Sequence, residues 1–149
     1  MPKRISKVIL GVGGGIAAYK SAEIVRGLKK ARSSVRVVMT QSAEEFITPL
    51  TLQALSGNPV STDLLDVEAE AAMGHIELAR WADAILIAPA TANTLAKLSS
   101  GRADDLLSSI TLAFDGPIGL APAMNQAMWK DERTQSNIQN LEHKNFSLY

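Results

Sequence analysis

The chain has 149 residues and no cysteine, and its 15 basic residues balance 15 acidic ones. With 46% hydrophobic residues, a chain of this length can form one globular domain with a substantial core. The totals exclude disulfides, thiolate zinc sites and a cysteine nucleophile, and they give no indication of a nucleic-acid-binding surface. No apolar run reaches the roughly 18 residues of a membrane span, so we expect a cytoplasmic protein that does not enter a membrane.

An apolar strand leads into a glycine-rich turn near the amino terminus. Residues 7–10 are predicted to form a buried strand, followed by a turn over 11–15 and a helix over 16–30. The apolar residues of that helix recur at helical spacing at Ile16, Tyr19, Ile24 and Leu28. Glycine lets an anion approach the free N–H groups of a helix start, so this arrangement is typical of phosphate binding. The dinucleotide fingerprint fails at its third glycine, and a tight turn without a ligand remains an alternative.

The second predicted strand ends at Met39 and Thr40. A dinucleotide site would have an acidic residue near this point to hold a ribose, so the sequence favours a ligand with one phosphate. Ser42 begins a pattern that fits a capping box with Glu45, and Phe46 follows it. Thr40 and Ser42 therefore offer hydroxyls at a helix start, where a capping role and a ligand-binding role both remain open.

The middle of the chain combines an unassigned segment with a helix that begins near a histidine. Residues 48–55 are predicted to be helical, whereas 60–73 are acidic and rich in alanine and could form an exposed or mobile segment that covers the site. His75 would lie in the first turn of the next helix, where the helix dipole favours the neutral ring that a general base requires. A surface or capping histidine is the alternative. His143, late in the last helix, is explained by the dipole alone.

The second half repeats the pattern of a strand followed by a helix start. Residues 84–88 are predicted to form a central strand, and Thr91 begins a helix that runs to about Gly101. A further helix is predicted from Asp104 to Phe114, with Asp104 and its neighbour as first-turn acids and not as a metal pair.

The last predicted strand, 117–120, leads through Pro122 to Asn125, which has the residue type and position of a helix N-cap. The helix after it is predicted to reach about Lys144.

Four predicted strands thus give way to helix starts, near Gly15, Ser42, Thr91 and Asn125. Strands that alternate with helices predict an α/β fold: a Rossmann-like (flavodoxin-like) parallel sheet with helices on both faces. The four starts would lie at one edge, where such folds bind ligands. Small residues leave room there for a flat ligand, namely Ala90, Ala92 and Ala123. The sequence places no carboxylate firmly at this edge, which argues against acid–base chemistry by paired carboxylates.

Four motifs resemble those of the flavin-containing cysteine decarboxylases. They are Gly14-Gly15-Ile16-Ala17-Ala18-Tyr19-Lys20, His75-Ile76-Glu77-Leu78, Pro89-Ala90-Thr91-Ala92-Asn93-Thr94 and Pro122-Ala123-Met124-Asn125-Gln126-Ala127-Met128-Trp129. The resemblance covers nearly the whole chain and is strongest to the N-terminal decarboxylase part of the bifunctional enzymes of coenzyme A synthesis. It implies FMN-dependent decarboxylation of 4'-phosphopantothenoylcysteine, in which the flavin oxidises the thiol to a thioaldehyde before CO2 is lost.

The resemblance also implies a role for individual residues. His75 would be the catalytic base, and the substrate would be held by Asn125, Met128 and Arg80. The FMN-binding residues it implies are Gly14, Gly15, Ile16, Thr40, Ser42, Phe46, Thr91, Ala92, Asn93, Thr94 and Ala123. Family members assemble as homotrimers or as dodecamers of trimers, with FMN between subunits, and the full-length bifunctional proteins add a ligase domain.

Two departures from the family pattern are predicted to matter. Gly13 stands where many members have Ser or Thr, which would remove a hydroxyl from the phosphate site. Coenzyme A decarboxylases also protonate the reduced intermediate with a cysteine from a later loop, and this chain has none. We therefore expect a decarboxylase domain, residues 1–149, that is truncated at its C-terminus and releases an enethiol or fails to turn over.

Three other functions remain open on this scaffold. A decarboxylase of peptidyl C-terminal cysteine shares the His75 and Asn125 motifs, so only substrate tests separate it. A flavin prenyltransferase is expected to lack both motifs. A non-catalytic FMN-binding regulatory protein would carry a long charged tail, which this chain lacks.

Overall fold

A computed structural model describes residues 4–62 and 74–149. Its centre is a parallel sheet in the strand order β2-β1-β3-β4-β5. The strands are β1 Lys7–Val12, β2 Ser34–Met39, β3 Ala84–Ala90, β4 Ile118–Pro122 and β5 Ser147–Leu148. In register, Leu10 of β1 lies beside Val37 of β2 on one side and Leu86 of β3 on the other. The predicted α/β fold with a parallel sheet is confirmed.

Helices cover both faces of this sheet. The α-helices are α1 Ser21–Lys30, α2 Pro49–Ser56, α3 His75–Trp81, α4 Ala92–Ser100, α5 Leu106–Ala113, α6 Gln126–Lys130 and α7 Glu132–His143. Two short 3-10 helices, Ile16–Lys20 and Gln41–Glu45, follow β1 and β2. None of the helices within residues 4–62 and 74–149 is long and apolar enough to cross a membrane.

The sheet separates two hydrophobic cores. On one face, β1 and β2 side chains such as Leu10 and Val37 pack with Val25 of α1 and Leu52 of α2. The other face carries Ile9 of β1 and packs against α3, α4, α5 and α7. Alternate residues of a strand point to opposite faces, so one buried strand contributes to both cores.

The glycine-rich turn does not lead into one continuous helix. Residues 16–20 form the 3-10 helix, and α1 begins at Ser21. Ile16 and Tyr19 lie in this 3-10 helix and are 79% and 58% exposed, so they are not part of the buried face of α1. The last predicted helix is also interrupted, because Asp131 is extended and caps α7 after α6 has ended.

Two further predictions need qualification. The predicted capping box at Ser42 is wrong: Thr40 is the N-cap, and its Oγ1 accepts a hydrogen bond from the N–H of Ala43 at 3.3 Å. The expectation for residues 60–73 falls almost entirely outside the described residues. Within that segment Ser61 is described, and it pairs with Val38 of β2 in a parallel bridge.

Candidate functional site

Two neighbouring cavities lie at the edge where the strands end. The first, about 490 Å³, is called the Asn125 cavity after a residue of its wall. Its lining is mostly apolar, and Lys20 is the charged residue in it. It is lined by Gly14, Gly15, Ile16, Ala17, Tyr19, Lys20, Pro89, Thr91, Ala92, Ala123, Met124, Asn125 and Met128.

The second cavity, about 570 Å³, is called the Asp104 cavity. Most of its lining residues have polar side chains, and it is lined by Gly14, Thr40, Gln41, Ser42, Thr91, Ala92, Asn93, Thr94, Lys97, Asp104, Asp105 and Met128. The two cavities share Gly14, Thr91, Ala92 and Met128, so they adjoin along one wall. An elongated ligand with an apolar ring and a polar tail could therefore occupy both. The prediction that helix starts far apart in the sequence gather at one edge is confirmed.

Three side chains at this edge cap the helices that follow them. Thr91 Oγ1 accepts from the N–H of Thr94 at 3.2 Å, and Asn125 Oδ1 accepts from the N–H of Met128 at 2.9 Å. Thr40 caps the 3-10 helix after β2. Ala92, the first residue of α4, and Asn93 have N–H groups without partners inside the helix, as at any helix start. These N–H groups belong to residues that line the Asp104 cavity.

The glycine-rich turn supplies further free donors. Gly13 N–H donates to Pro89 O at 3.0 Å, which ties the turn to the end of β3. The N–H groups of Gly14 and Gly15 donate to no acceptor among the described residues. A Cβ at Gly14 would overlap the Ser42 hydroxyl, whereas one at Gly15 would meet nothing within 4 Å. Two half-buried free amides beside a hydroxyl form a cradle suited to an anion.

A carboxylate pair, Asp104 and Asp105, also lines the Asp104 cavity, although the sequence did not place a carboxylate firmly at this edge. Lys97 Nζ lies 3.0 Å from Asp104 Oδ1 and 3.0 Å from Asp105 Oδ2. Arg102 Nε lies 3.1 Å from Asp104 Oδ2, so the two negative charges face two positive ones. Asp105 also caps α5 in a capping box with Ser108, which explains its position by structure. Within the described residues no cluster of His, Asp and Glu could hold a metal ion.

The pKa values of this cluster follow from its contacts. Partial burial by itself would lower the pKa of Lys97, but hydrogen bonds to Asp104 and Asp105 outweigh burial and raise it. Burial by itself would raise the pKa of Asp105, but hydrogen bonds from Ser108 and Lys97 outweigh burial and lower it. Both groups are therefore held in their charged forms.

Most of the predicted site residues line these two cavities, but three do not. His75, Arg80 and Phe46 are absent from both linings. His75 is the first residue of α3, as predicted, after Gly74 as the N-cap. Arg80 is exposed, and Phe46 is 47% exposed. Within a single copy of the chain, His75 and Asn125 do not share one of these cavities.

Several lining residues were missed in the sequence. Lys20 and Tyr19 were assigned to a helix, and Met124 lies inside a recognised motif without an assigned role. Gln41 and Lys97 carried no signal, because contact with the cavity depends on how α4 and the 3-10 helix pack. Lys20 could have been found, since it closes the glycine-rich motif that contributes nearly half of the residues lining the Asn125 cavity.

Comparison with known proteins places this fold and site among flavin-binding proteins: residues 1–149 match the flavoprotein family, and the chain belongs to it. The particular relatives are coenzyme A biosynthesis bifunctional proteins CoaBC. The protein from Haemophilus influenzae is 58% identical over 141 residues, which cover 95% of this chain and 35% of the relative. The one from Escherichia coli K12 is 52% identical over 143 residues, which cover 96% and 35%. The chain thus spans about a third of the length of these curated relatives.

Solved structures agree with this assignment. A cysteine-to-serine mutant of PPC decarboxylase, complexed with pantothenoylaminoethenethiol, is 33% identical with a TM-score of 0.82. The match covers 98% of this chain and 82% of that one. The FMN-dependent cysteine decarboxylase SpaF is also 33% identical, with a TM-score of 0.88 over 96% of this chain and 82% of that one. The predicted resemblance to flavin-containing cysteine decarboxylases and the predicted flavodoxin-like fold are confirmed.

Proposed function

We propose that the chain is an FMN-dependent decarboxylase domain that acts on 4'-phosphopantothenoylcysteine. The observation that carries this proposal is the joined pair of cavities, one mostly apolar and one polar, at the carboxyl edge of the sheet. The similarity to CoaBC proteins and to a PPC decarboxylase supports the choice of substrate.

The residues present fit FMN. The phosphate and ribityl chain would lie in the polar Asp104 cavity, with donors from the Gly14 amide and the Thr40 and Ser42 hydroxyls. The Gly15 amide would add a donor from the adjoining Asn125 cavity. The isoalloxazine ring would lie in the apolar Asn125 cavity against Ala123. The remaining predicted FMN contacts, Ile16, Ala92, Asn93 and Thr94, line one or both cavities.

Gly13 is compatible with this site as it stands. A Cβ at Gly13 would lie 2.7 Å from Pro89 O and 3.1 Å from a Thr91 methyl group. The turn is therefore packed closely against the end of β3, and its hydrogen bond to Pro89 keeps the neighbouring amides in place. Any loss of phosphate affinity would come from a missing hydroxyl and not from a disordered turn.

When bound, FMN would supply the oxidation of the substrate thiol to a thioaldehyde, and the thioaldehyde can accept the electron pair that remains when CO2 departs. The chain's own part is to orient the substrate and to accept a proton from it. The Asn125 amide, fixed by its hydrogen bond with Met128, would hold the substrate carboxylate at the mouth of its cavity. Met128, 45% exposed, would wall the substrate side. His75 would accept the proton, and Arg80, which is exposed, would be a second contact for an anionic substrate.

We also propose that the active site is completed by a second copy of the chain, in a homotrimer or in a dodecamer built from trimers. Support comes from two features of the single copy. His75 does not line the Asn125 cavity. Four large apolar side chains at or near that cavity are exposed: Ile16, Tyr19, Met128 and Trp129. A neighbour seated on this rim would cover these side chains and could bring its own His75 and Arg80 to the bound flavin.

The same relatives suggest the wider context. CoaBC proteins are bifunctional, and we propose that this domain works beside a phosphopantothenate–cysteine ligase domain in the full-length protein and in the cytoplasm. Chemistry within residues 1–149 would give the enethiol product unless a later cysteine protonates the intermediate.

The proposal is tested by adding FMN and then substrate to the purified chain. We expect a flavin absorption spectrum that stays with the protein on gel filtration, and mass analysis should show loss of CO2 from 4'-phosphopantothenoylcysteine. A peptide with a C-terminal cysteine serves as the competing substrate. Decarboxylation of the peptide alone would refute the proposed substrate, and failure to retain FMN would refute the flavin site.

A further inference from the structure

Arg36 is a positively charged residue in the middle of β2, at a position where its neighbours are buried. Val35 and Val37 face the core under α1 and α2. Arg36 lies on the opposite face of the sheet, together with Val38, which packs in the core beneath α3. Its register partner in β1 is Ile9, a residue with no exposed surface. A cation at such a position is unusual, because apolar residues normally fill the inward side of a strand.

The guanidinium of Arg36 lies over an aromatic ring. Its central carbon is 5.4 Å from the centroid of the Trp81 ring, within the range of a cation–π contact. Its Nε atom is buried and has no hydrogen-bond partner in the described parts of the chain. A buried polar atom without a partner destabilises a fold, and an apolar side chain of similar size would avoid that cost. The cation–π contact with Trp81 partly offsets the cost of the unpartnered Nε atom.

Trp81 is the last residue of the helix that begins at His75. Helix α3 has seven residues, too few to be stable without tertiary contacts. Its N-cap is Gly74, which has no side chain to fasten the amino-terminal end. The buried residues of α3 are Leu78 and Ala79, and the stacked Trp81 adds a third contact at the opposite end from His75. Three contacts on one side of a short rigid helix fix its rotation about its own axis.

We propose that Arg36 is a positioning residue for His75: its guanidinium stacks on Trp81 and sets the rotation of α3, and with it the direction of the imidazole. The link to catalysis rests on the proposed function, in which His75 moves a proton. The structural part of the inference does not, since it concerns only how α3 is held.

The test follows the two histidines of the chain by the NMR signals of their imidazole rings. His143, at the end of α7, is a built-in reference. Arg36→Met keeps an apolar side chain of similar length but removes the planar cation, so we expect the His75 signals to shift or broaden while the His143 signals stay. Arg26→Met, on the exposed surface of α1, is the matched control and should move neither. Unchanged His75 signals in Arg36→Met would overturn the proposal.

Two further variants keep the test decisive. Arg36→Lys retains the charge but not the planar stack, and it answers the same question if Arg36→Met does not fold. In a Trp81→Leu background, adding Arg36→Met should cause little further change, because a contact already lost cannot be lost again. If the two substitutions shift the His75 signals additively, Arg36 does not act on His75 through Trp81.

Catalysis provides the second readout. With FMN bound, we expect Arg36→Met to lower kcat by about tenfold or more, as a misplaced proton-transfer group does, while KM and FMN affinity stay near those of the unchanged chain. Unchanged kcat despite moved His75 signals would contradict the positioning role. Absence of decarboxylation in the unchanged chain would instead refute the proposed function, and the NMR result would still decide how α3 is held.

Discussion

Asn125 combines a capping role with a proposed substrate role, and one pair of substitutions separates them. Asp is as good an N-cap as Asn, so Asn125→Asp should keep the thermal stability of the unchanged chain. Its charge would repel the substrate carboxylate, and we expect kcat/KM to fall by about a hundredfold, given the cost of like charges in contact. Asn125→Ala should lose the cap as well, at about 1 kcal/mol of unfolding free energy. Unchanged kcat/KM in Asn125→Asp would show that Asn125 is only a cap.

Gly14 and Gly15 are adjacent but differ in the space around them. A Cβ at Gly14 would overlap the Ser42 hydroxyl and force the 3-10 helix after β2 to move, whereas a Cβ at Gly15 would meet nothing within 4 Å. We expect Gly14→Ala to lower the free energy of unfolding by about 1–3 kcal/mol, as overpacking does. Gly15→Ala is the matched control and should be neutral in the FMN-free protein. Urea denaturation measures both, and equal effects would contradict the described packing.

At the residue scale, sequence patterns identified caps better than they identified contacts. Thr91 and Asn125 were predicted at helix starts because their side chains can replace a missing backbone acceptor, and both do so. Tyr19 was not expected at the site, because an apolar residue at helical spacing can also line a ligand cavity. Asp104 and Asp105 were not expected at the site, since their position depends on the packing of α4 against α5.

At the scale of elements, α5 depends on its N-cap, Asp105. Its side chain accepts from the N–H of Ser108 at 2.8 Å, and Lys97 Nζ donates to it at 3.0 Å. Despite the opposing effect of burial, these contacts lower the pKa of Asp105 below its ordinary 3.8. A depressed pKa gives a stabilisation that is complete above the unfolded-state pKa and is lost as pH falls through the folded-state pKa.

The prediction for Asp105 is therefore a pH-dependent difference. Asn also caps helices well but carries no charge to lose, so Asp105→Asn should be less stable than the unchanged chain near neutral pH. The difference in unfolding free energy should stay constant above about pH 5 and shrink as the pH falls below about 4, through the lowered pKa of Asp105. Urea denaturation at several pH values checks this, and a difference that does not vary with pH would contradict the ionic role of Asp105.

The order of elements was predictable, but their exact extents were less so. Apolar runs that end in Gly, Pro or Asn marked β1, β3 and β4, since buried parallel strands have no polar face. The break at Asp131 was missed because the residues on both sides favour helix. The pattern of apolar residues predicts one helix from Ile16 onward and does not reveal the 3-10 helix at Ile16–Lys20, since the two helix types share nearly the same spacing of side chains.

At the scale of the whole molecule, alternation of strands and helices was enough to predict a parallel sheet with its ligand edge. Right-handed crossovers leave few ways to arrange such a chain, and the gathering of Gly14, Thr91 and Asn125 follows from that topology. The relation of His75 to this edge could not be predicted in the same way. The position of His75 relative to this edge depends on how α3 packs and, in our proposal, on a neighbouring copy of the chain. Neither helix packing nor oligomer contacts leave a periodic pattern in the sequence.

The central claim is that His75 and Asn125 act on one flavin held between two copies of the chain. Co-expressing His75→Gln with Asn125→Asp tests it most directly, by measuring CO2 release from 4'-phosphopantothenoylcysteine with FMN bound. Each variant alone should be nearly inactive. If each site takes His75 from one copy and Asn125 from its neighbour, random assembly of the two variants gives about a quarter of the sites both unchanged residues. Mixed oligomers should therefore recover about a quarter of the activity of the unchanged chain. Mixed oligomers that form and bind FMN but recover no activity would contradict the account.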